Sequence, residues 1–186
     1  MKFVKSLAAA AAIAAVSLAA SVASADVMVG GAAMFPTKNI VENAVNSADH
    51  TTLVAAVKAA GLVDVLQTKG PFTVFAPVNA AFGMLPAGTV DTLLKPENKD
   101  ALTGVLTYHV VAGKLTFNDL KKAIKKGKGE AQLKTVAGGM LMVTLNGPTN
   151  IIIKDEKGGM ANITIYDVLQ SNGVIHVIDK VLLPKM

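Results

Sequence analysis

The sequence predicts an α+β fold with one core. Helical patterns predominate up to Gly113, and one more helix follows at 117–129. The segment from 130 to 183 instead contains short apolar strands separated by glycine-containing turns. Segregation of helices from strands along the chain is typical of α+β rather than alternating α/β proteins. We find neither a repeat of about 20 to 50 residues nor a Pro/Ser-rich linker, so we expect a single compact domain.

The first 25 residues have the layout of a secretory signal peptide. Lys2 and Lys5 precede an apolar run over 7–20, and the small residues of 23–25 follow it. The run has about 14 residues, fewer than the roughly 20 that a membrane-spanning helix needs. We therefore expect export to the periplasm or the medium. The predicted organisation is a signal peptide over 1–25, a loosely held lead-in over 26–35 and a folded domain over 36–184.

Composition narrows the choice of partner. The formal net charge is +5, and loss of Lys2 and Lys5 with the leader would lower it to about +3. Every cation is a lysine, which argues against sequence-specific binding of nucleic acid, where arginine is the commonest reader of guanine. The chain has no cysteine, so disulfides and thiol nucleophiles are excluded. The folded state must therefore be stabilised by packing of its core and not by disulfides.

Helical periodicity is clearest before Gly61. Leu53, Ala56, Val57 and Ala60 form one apolar stripe, and Gly61 stands where a left-handed C-terminal residue is expected. Asp49 or Thr51 is the predicted cap of this helix, and Ile40, Ala44 and Val45 are predicted to share the inward face of the helix before it. Further helical pieces are predicted at 62–69, 79–85, 86–95, 96–110 and 117–129.

A buried strand is predicted at Phe72–Ala76, which is β-branched and aromatic and lies between prolines. After it, Asn79 is a candidate N-cap of a short helix that turns Phe82 and Leu85 inward. The strands predicted in the second half are EAQLKTV, MLMVTL, NIIIKD, ANITIYDV and GVIHVIDKVLL.

The sequence does not contain the common catalytic motifs. The sequence lacks GxSxG, a phosphate-binding GxxxxGK[ST] loop, HExxH and GxGxxG after a strand. The three histidines, His50, His109 and His176, are far apart, without the i, i+4 pair of a zinc helix. We therefore expect no catalytic activity, no cofactor and no metal site.

Lysines cluster between residues 117 and 129. If this segment is helical, Phe117, Leu120 and Ile124 point inward and the lysines spread over the outer face. Such a face is either simply solvated or a patch that attracts a polyanion such as an acidic polysaccharide. The cluster consists of Lys121, Lys122, Lys125, Lys126 and Lys128.

Three stretches resemble fasciclin-like domains, in the order and spacing of that family. GPFTVFAPVNAAFGMLP (70–86) resembles its first long homology stretch, LTYHVVAGKL (106–115) its Tyr-His segment and SNGVIHVIDKVLLP (171–184) its closing stretch. The resemblance runs from about residue 36 to 184. It implies a compact β-wedge or sandwich with helices packed beside it, and a role in adhesion or surface attachment without catalysis. We assign structural roles in these stretches to Phe72, Asn79, Phe82, Gly173 and His176.

The resemblance also implies candidate partner-binding residues. In animal members the Tyr-His segment and an Asp-Ile pair before the closing stretch are associated with integrin binding. Tyr108 and His109 match the first, and Asp167 and Val168 stand at the second, with valine replacing isoleucine.

The chain departs from the family pattern beside Asn79. The family often has threonine where Val78 stands and aspartate where Ala80 stands. The two differences remove a hydroxyl and a carboxylate from the surroundings of Asn79.

Tyr108 and His109 have two readings. On a continuing helix, His109 shares a stripe with Leu102, Val105 and Leu106, near a C-terminus where its N–H can donate to a free carbonyl. Tyr108 would then point about 100° away and pack with its hydroxyl at the surface. In the other reading, the segment contacts a ligand. By strand alternation, His176 is predicted to be buried and hydrogen-bonded on a strand covered on both faces.

The function predicted is that of an exported, non-catalytic adhesion module that contacts a cell surface, extracellular matrix or polysaccharide. An envelope-structural protein without a specific ligand is the alternative. A hydrolase acting on envelope material comes third.

Overall fold

The computed structural model describes residues 26–185. The predicted signal peptide lies outside these residues. Seven α-helices are described: α1 (Ile40–Ala44), α2 (Thr51–Ala60), α3 (Val63–Gln67), α4 (Asn79–Gly83), α5 (Thr89–Leu93), α6 (Lys99–Tyr108) and α7 (Phe117–Lys126). The strands described are β1 (Val27–Val29), β2 (Ala32–Met34), β3 (Phe72–Pro77), β4 (Val110–Ala112), β5 (Glu130–Lys134), β6 (Met140–Asn146), β7 (Asn150–Lys154), β8 (Met160–Gln170) and β9 (Gly173–Ile178).

Seven of these strands form one sheet in the order β4-β3-β9-β8-β7-β6-β5. The neighbouring strands β3 and β9 are parallel, and every other neighbouring pair is antiparallel. Strand β8 has register shifts between Ile163 and Val168. Such irregularities bend a strand and increase its twist, so β8 is the place where the sheet turns.

The two edges of the sheet approach each other. An isolated antiparallel bridge joins Val111, beside β3, to Thr135 at the end of β5, and the Val136 N–H donates to the Val110 carbonyl at 2.8 Å. The sheet is therefore curled almost into a barrel, an arrangement that removes exposed strand edges.

The curl divides the interior into two apolar clusters. The first lies between the helices and one face of the sheet, and includes Leu53 and Val57 of α2 and Ile175 of β9. The second lies inside the curl, where Leu120 and Ile124 of α7 close it. Strand β9 separates the two clusters, and all six of its residues are buried. The prediction that this strand is covered on both faces is confirmed.

The predicted fold class is confirmed, including the five strands of the second half and the buried strand at β3. Some local predictions differ from the structure at the ends of helices. Helix α1 ends at Ala44, so Val45 lies beyond it and is 48% exposed instead of inward-facing. The helix over 96–110 ends at Tyr108, and Val110–Ala112 forms β4 against β3.

The segment before α1 is more ordered than a loose lead-in. Strands β1 and β2 form an antiparallel hairpin, and Val29 and Met34 are buried in the first apolar cluster. Within residues 26–185, no helix combines the length and apolar character needed to cross a membrane.

Candidate functional site

His109 joins the end of α6 to the C-terminal segment of the chain. It is buried, and its Nδ1 lies 2.8 Å from the Val105 carbonyl, one turn back along the helix. The Leu182 N–H donates to its Nε2 at 2.9 Å. Because Nε2 accepts, the proton must be on Nδ1, which donates to Val105. The structure thus shows the donor role that the sequence predicts, together with an acceptor role that it does not.

Burial controls the protonation of His109. Desolvation lowers its pKa to about 4, while the Val105 carbonyl and the charge of Asp155 oppose the change. The ring is therefore neutral at pH 7. A neutral ring with both nitrogens bonded to the backbone has no free site for proton transfer.

Tyr108 is inside the second apolar cluster, with no exposed surface. Its hydroxyl donates to the Met140 carbonyl at 2.9 Å and accepts from the Glu156 N–H at 3.1 Å. A Cβ on Gly139 would lie 2.8 Å from the tyrosine ring, so only glycine fits there. The expectation of a hydroxyl at the surface is wrong. Its two partners, at the start of β6 and in the turn after β7, are more than thirty residues away along the chain and enclose it.

His176 is buried between the curled sheet and the loop before α7. Its Nε2 lies 2.8 Å from the Leu115 carbonyl, and the Asp167 N–H donates to Nδ1 at 3.3 Å. The ring stacks on Phe75 and meets Tyr166 edge-on. Burial lowers its pKa, against the Leu115 carbonyl and the charge of Asp167. His176 is therefore a second neutral imidazole whose two ring nitrogens are hydrogen-bonded to the backbone, at Leu115 and Asp167.

Asp167 lies at the irregularity of β8, with a left-handed φ of 53°. Its Oδ1 accepts the N–H of Phe117, the first residue of α7, at 2.7 Å. A carboxylate at a helix N-terminus is favourable for both hydrogen bonding and the helix dipole. Val168 is 1% exposed in the first apolar cluster.

The four candidate partner-binding residues offer a partner little surface. Tyr108, His109 and Val168 are buried, and Asp167 is half-buried. Their partner-binding role stays a prediction. In the folded chain their contacts are internal, and no hydrogen bond of the described residues joins the Tyr-His segment to the Asp-Val pair.

Asn79 caps a helix other than its own. Its Oδ1 accepts the Thr52 N–H at 3.0 Å and the Thr51 hydroxyl at 3.2 Å, and its amide donates to the Ala48 carbonyl at 2.8 Å. It thus caps α2 from across the domain. The predicted cap of α4 is wrong, because the N-cap position there is occupied by Val78, which provides no side-chain bond.

Phe72 and Gly173 mark the point where β3 and β9 begin in parallel. They are register partners, and a Cβ on Gly173 would lie 2.1 Å from the Phe72 carbonyl oxygen. Glycine is required by this close approach. Phe72 packs against the first apolar cluster, as does the half-buried Phe82 of α4.

Asn172 is a structural residue that the sequence analysis missed. Its Oδ1 accepts the Ile40 N–H at 3.0 Å, and its amide donates to the carbonyls of Leu66 and Thr68 at 2.7 and 2.9 Å. It therefore joins the start of α1 and the end of α3 to β9. The signal available was a polar residue in a turn directly before an apolar strand.

Three side chains hold the C-terminal segment through its backbone. Besides His109, the Asp155 carboxylate accepts the Leu183 N–H at 2.9 Å and the Glu156 carboxylate accepts the Lys185 N–H at 3.1 Å. The acidic turn KDEKGG at 154–159 thus binds the backbone of the C-terminal segment. Among residues 26–185, no cluster of three His, Asp or Glu side chains is arranged to hold a metal ion.

The lysine cluster lies along the exposed side of α7 and in the turn that follows the helix. We call this surface the lysine face (Lys121, Lys122, Lys125 and Lys126 of α7, and Lys128 of the turn). All five side chains are exposed, whereas Leu120 and Ile124 on the opposite side of α7 are buried. Thr116 caps the helix in a reciprocal pair with Asp119. Their hydrogen bonds lower the pKa of Asp119.

The lysine face has few anionic neighbours. The one salt bridge among the described residues is a long contact of 4.0 Å between Lys122 and Asp119. Lys121 instead donates to the Pro148 carbonyl at 3.3 Å and lies over the Phe117 ring. The other three lysines have no ion pair in the part of the chain that the structure describes.

Comparison with known proteins identifies the class to which this fold belongs. The model of the fasciclin domain matches residues 48–184. The chain is 47% identical over 160 residues to protein sll1483 of Synechocystis, covering 86% of this chain and 81% of that one. It is 36% identical over 144 residues to immunogenic protein MPB70 of Mycobacterium bovis, covering 75% of this chain and 65% of the relative.

A solved structure has the same fold. It is a pair of fasciclin-type domains from the insect cell adhesion molecule fasciclin I, with a TM-score of 0.69 and 20% identity over 78% of this chain and 51% of that one. The protein described here belongs to the fasciclin domain family, as its three motifs indicated.

Proposed function

We propose that the protein is an exported, non-catalytic binding module that attaches to an anionic polysaccharide of a cell surface or extracellular matrix through the lysine face. The observation that carries this proposal is the exposure of four lysines of α7, and of Lys128 just after it, on the side of the helix that faces away from the core. Family membership supports it, since one relative of the same fold is described as a cell adhesion molecule.

The lysine face is suited to a polyanion by charge and by rigidity. A capped helix that is packed onto the sheet fixes the spacing of its cations, so less entropy is lost when a charged chain binds. Basic side chains with few acidic neighbours produce a positive potential that attracts polyanions at long range. The cations are all lysine ammonium groups, which act as compact point charges. They favour general electrostatic attachment over the geometry-specific recognition that an arginine guanidinium provides.

The internal hydrogen bonds of His109 and His176 support a non-catalytic role. His109 and His176 each have both ring nitrogens on backbone groups. A general base must be within hydrogen-bond reach of a substrate proton. Neither imidazole meets that requirement in the folded chain.

A binding assay with a charge-matched control tests this proposal. The triple variant Lys122→Gln/Lys125→Gln/Lys126→Gln should bind immobilised dextran sulfate about tenfold more weakly than the wild type at 50 mM salt, about what three exposed ion pairs contribute. The control Lys69→Gln/Lys95→Gln/Lys99→Gln removes the same charge from exposed positions elsewhere. It should bind nearly as well as the wild type.

Salt dependence completes the test. Wild-type affinity should fall steeply as salt rises from 50 to 300 mM, because screening weakens exposed charge interactions. Equal losses in the two triple variants would mean that net charge, not the lysine face, drives attachment. No binding at low salt would overturn the proposal and favour an envelope-structural protein without a ligand.

A further inference from the structure

The chain leaves the sheet at Asp179, directly after β9. The Asp179 N–H donates to the Asn162 carbonyl at 3.2 Å, and its carboxylate accepts the backbone N–H and the side-chain amide of Asn162 at 2.7 and 2.8 Å. Within the described residues, positions 180–185 make no backbone–backbone hydrogen bond. We call these residues the C-terminal strap. The strap is hinged at Asp179 and is held to the domain by side chains.

Each described hydrogen bond that holds the strap ends on a side chain that can take up a proton. The donors are backbone N–H groups, at distances of 2.9 to 3.1 Å from their acceptors. The pairs are Leu182 with His109 Nε2, Leu183 with the Asp155 carboxylate and Lys185 with the Glu156 carboxylate. Attachment of the strap is therefore coupled to the protonation of its acceptors.

One apolar side chain anchors the strap in the domain. Leu182 is 1% exposed and lies in the second apolar cluster, whereas the other strap residues are half-buried or exposed. Segments with few buried contacts and no ladder of backbone hydrogen bonds open at a lower free energy than the core. The strap can therefore leave the domain without unfolding the sheet, and its release uncovers the apolar surface beneath Leu182.

His109 is the acceptor that protonation removes completely. A protonated imidazole has an N–H on both nitrogens, so Nε2 would meet the Leu182 N–H as one donor facing another. A protonated carboxyl group, by contrast, keeps an oxygen that can accept. The hydrogen bond to Leu182 is therefore possible only while His109 is neutral.

The groups around these contacts keep His109 neutral while the strap is bound. Burial lowers the pKa of His109 to about 4, against a backbone carbonyl of α6 and the charge of Asp155. Burial also raises the pKa of Tyr108, the neighbouring residue on α6, which is uncharged here. Two backbone N–H groups and the charge of Lys185 lower the pKa of Glu156, so its carboxylate stays charged between pH 7 and 5.

We propose that the C-terminal strap is released by acid: protonation of His109 frees residues 180–185 and uncovers the apolar surface beneath Leu182, while the sheet and the helices stay folded. Once the strap has left, His109 Nε2 faces water and takes up a proton near pH 6.5. Release does not depend on attachment through the lysine face. It gives the domain an apolar surface that is available only in acidic surroundings.

Amide hydrogen exchange, followed by NMR, measures release of the strap. Because the pKa of His109 is about 4 with the strap bound and about 6.5 with it released, lowering the pH from 7 to 5 should increase the released fraction about twentyfold. The protection factors of the Leu182 and Leu183 N–H groups, corrected for the intrinsic exchange rate, should fall by this factor. The Ile153 N–H, in the middle of β7, reports on opening of the core.

Low concentrations of urea distinguish release of the strap from unfolding of the domain. Release exposes little surface, so exchange at Leu182 should be almost independent of urea, whereas exchange at Ile153 should accelerate. Leu182→Ala removes the apolar anchor of the strap. It should increase the released fraction more than about tenfold at both pH values and leave their ratio unchanged.

Two histidine variants test the assignment to His109. His109→Gln has no titrating side chain at this position, so the protection of the strap should change little between pH 7 and 5. His176→Gln is the matched control, because it removes the other buried neutral imidazole, which is hydrogen-bonded to Leu115 and Asp167 and not to the strap. It should keep the twentyfold change. Should His109→Gln not fold, His109→Asn makes the same comparison.

Three outcomes would overturn the proposal. The first is a Leu182 N–H with the protection and the urea dependence of Ile153, which would show that the strap leaves only when the domain unfolds. The second is equal protection of the wild-type strap at pH 7 and 5. The third is a wild-type pH response of the strap in the folded His109 variant.

Discussion

The Leu182 N–H donates to His109 Nε2 at 2.9 Å across 73 positions of sequence. Because the other ring nitrogen bonds the end of α6, one imidazole fixes the C-terminal segment to the helix layer. The adjacent Tyr108 does the same on the opposite side, linking Met140 and Glu156. The side chains of Tyr108 and His109 therefore hold separate parts of the domain together by internal hydrogen bonds.

Removal of the His109 ring should destabilise the fold. His109→Ala leaves the Leu182 N–H buried without a partner, so we expect a loss of about 1–3 kcal/mol in the free energy of unfolding, measured by urea denaturation at pH 7. Lys114→Ala, at an exposed position, is the control and should change stability little. Unchanged stability of His109→Ala together with lost surface attachment would contradict the structural role.

The free energy of unfolding should decrease as the pH is lowered from about 6.5 to 4. In the unfolded chain His109 takes up a proton near pH 6.5, whereas in the folded chain its pKa is about 4. The unfolded state therefore binds more protons in this window, and acid favours unfolding. For His109 alone the loss on acidification is about 3 kcal/mol, and His50 and His176, whose pKa values burial also lowers, act in the same direction.

A non-titrating variant isolates the contribution of His109 to this pH dependence. Urea denaturation of His109→Gln at pH 7, 6 and 5 should give a slope of unfolding free energy against pH that is smaller than the wild-type slope by about one proton. Glu156, with a pKa lowered from 4.5 by the Met140 and Lys185 N–H groups, contributes only as the pH falls toward 4.5, below the three pH values measured. A slope equal to that of the wild type would show that His109 is not the buried neutral base described here.

Asp167 should matter for α7 through both its carboxylate and its backbone. Asp167→Ala removes the acceptor of the Phe117 N–H and places a Cβ residue without a polar side chain at a left-handed φ. We expect a loss of about 2 kcal/mol in unfolding free energy, of which the lost cap is the larger part.

Two further substitutions at this position separate the causes. Asp167→Asn keeps an acceptor and tolerates the left-handed conformation, so it should lose less than half as much stability as Asp167→Ala. Asp167→Gly also removes the carboxylate, but it relieves the strain of the left-handed backbone conformation at this position. Equal stability of all three variants and the wild type, by urea denaturation, would remove the capping role.

Asn79 should stabilise α2 rather than the helix in which it lies. Asn79→Ala removes the acceptor of the Thr52 N–H, and we expect a loss of about 1 kcal/mol. Hydrogen exchange should accelerate at the amide of Thr52, while the amides of α4 change less. Faster exchange confined to α4 would restore the cap predicted from sequence.

How far the sequence predicts the structure depends on how local the signal is. The alternation around Val143 and Ile153 predicts their strands, since the repeat of two is present within a few residues. Helix α7 is predicted for the same reason, from Leu120 and Ile124. Strand β4 was missed, because three residues are too few to distinguish a strand from the last turn of a helix.

The site was predicted less well, because its contacts are distant along the chain. Nothing near Asn79 in sequence indicates that its partner is Thr52, 27 positions earlier, and nothing near Tyr108 indicates Met140. His176 was predicted better, since the apolar residues on both sides of it already require burial. The lysine face needed only helical periodicity.

The most direct measurement compares a variant of the buried His109 with a variant of the exposed lysine face. Affinity for dextran sulfate at 50 mM salt is measured for His109→Gln and for Lys122→Gln/Lys125→Gln/Lys126→Gln, at a temperature where circular dichroism shows both to be folded. We predict wild-type affinity for the histidine variant and about tenfold weaker binding for the lysine variant. Weak binding by folded His109→Gln with full binding by the lysine variant would contradict the assignment of the Tyr-His segment to the interior and of recognition to α7.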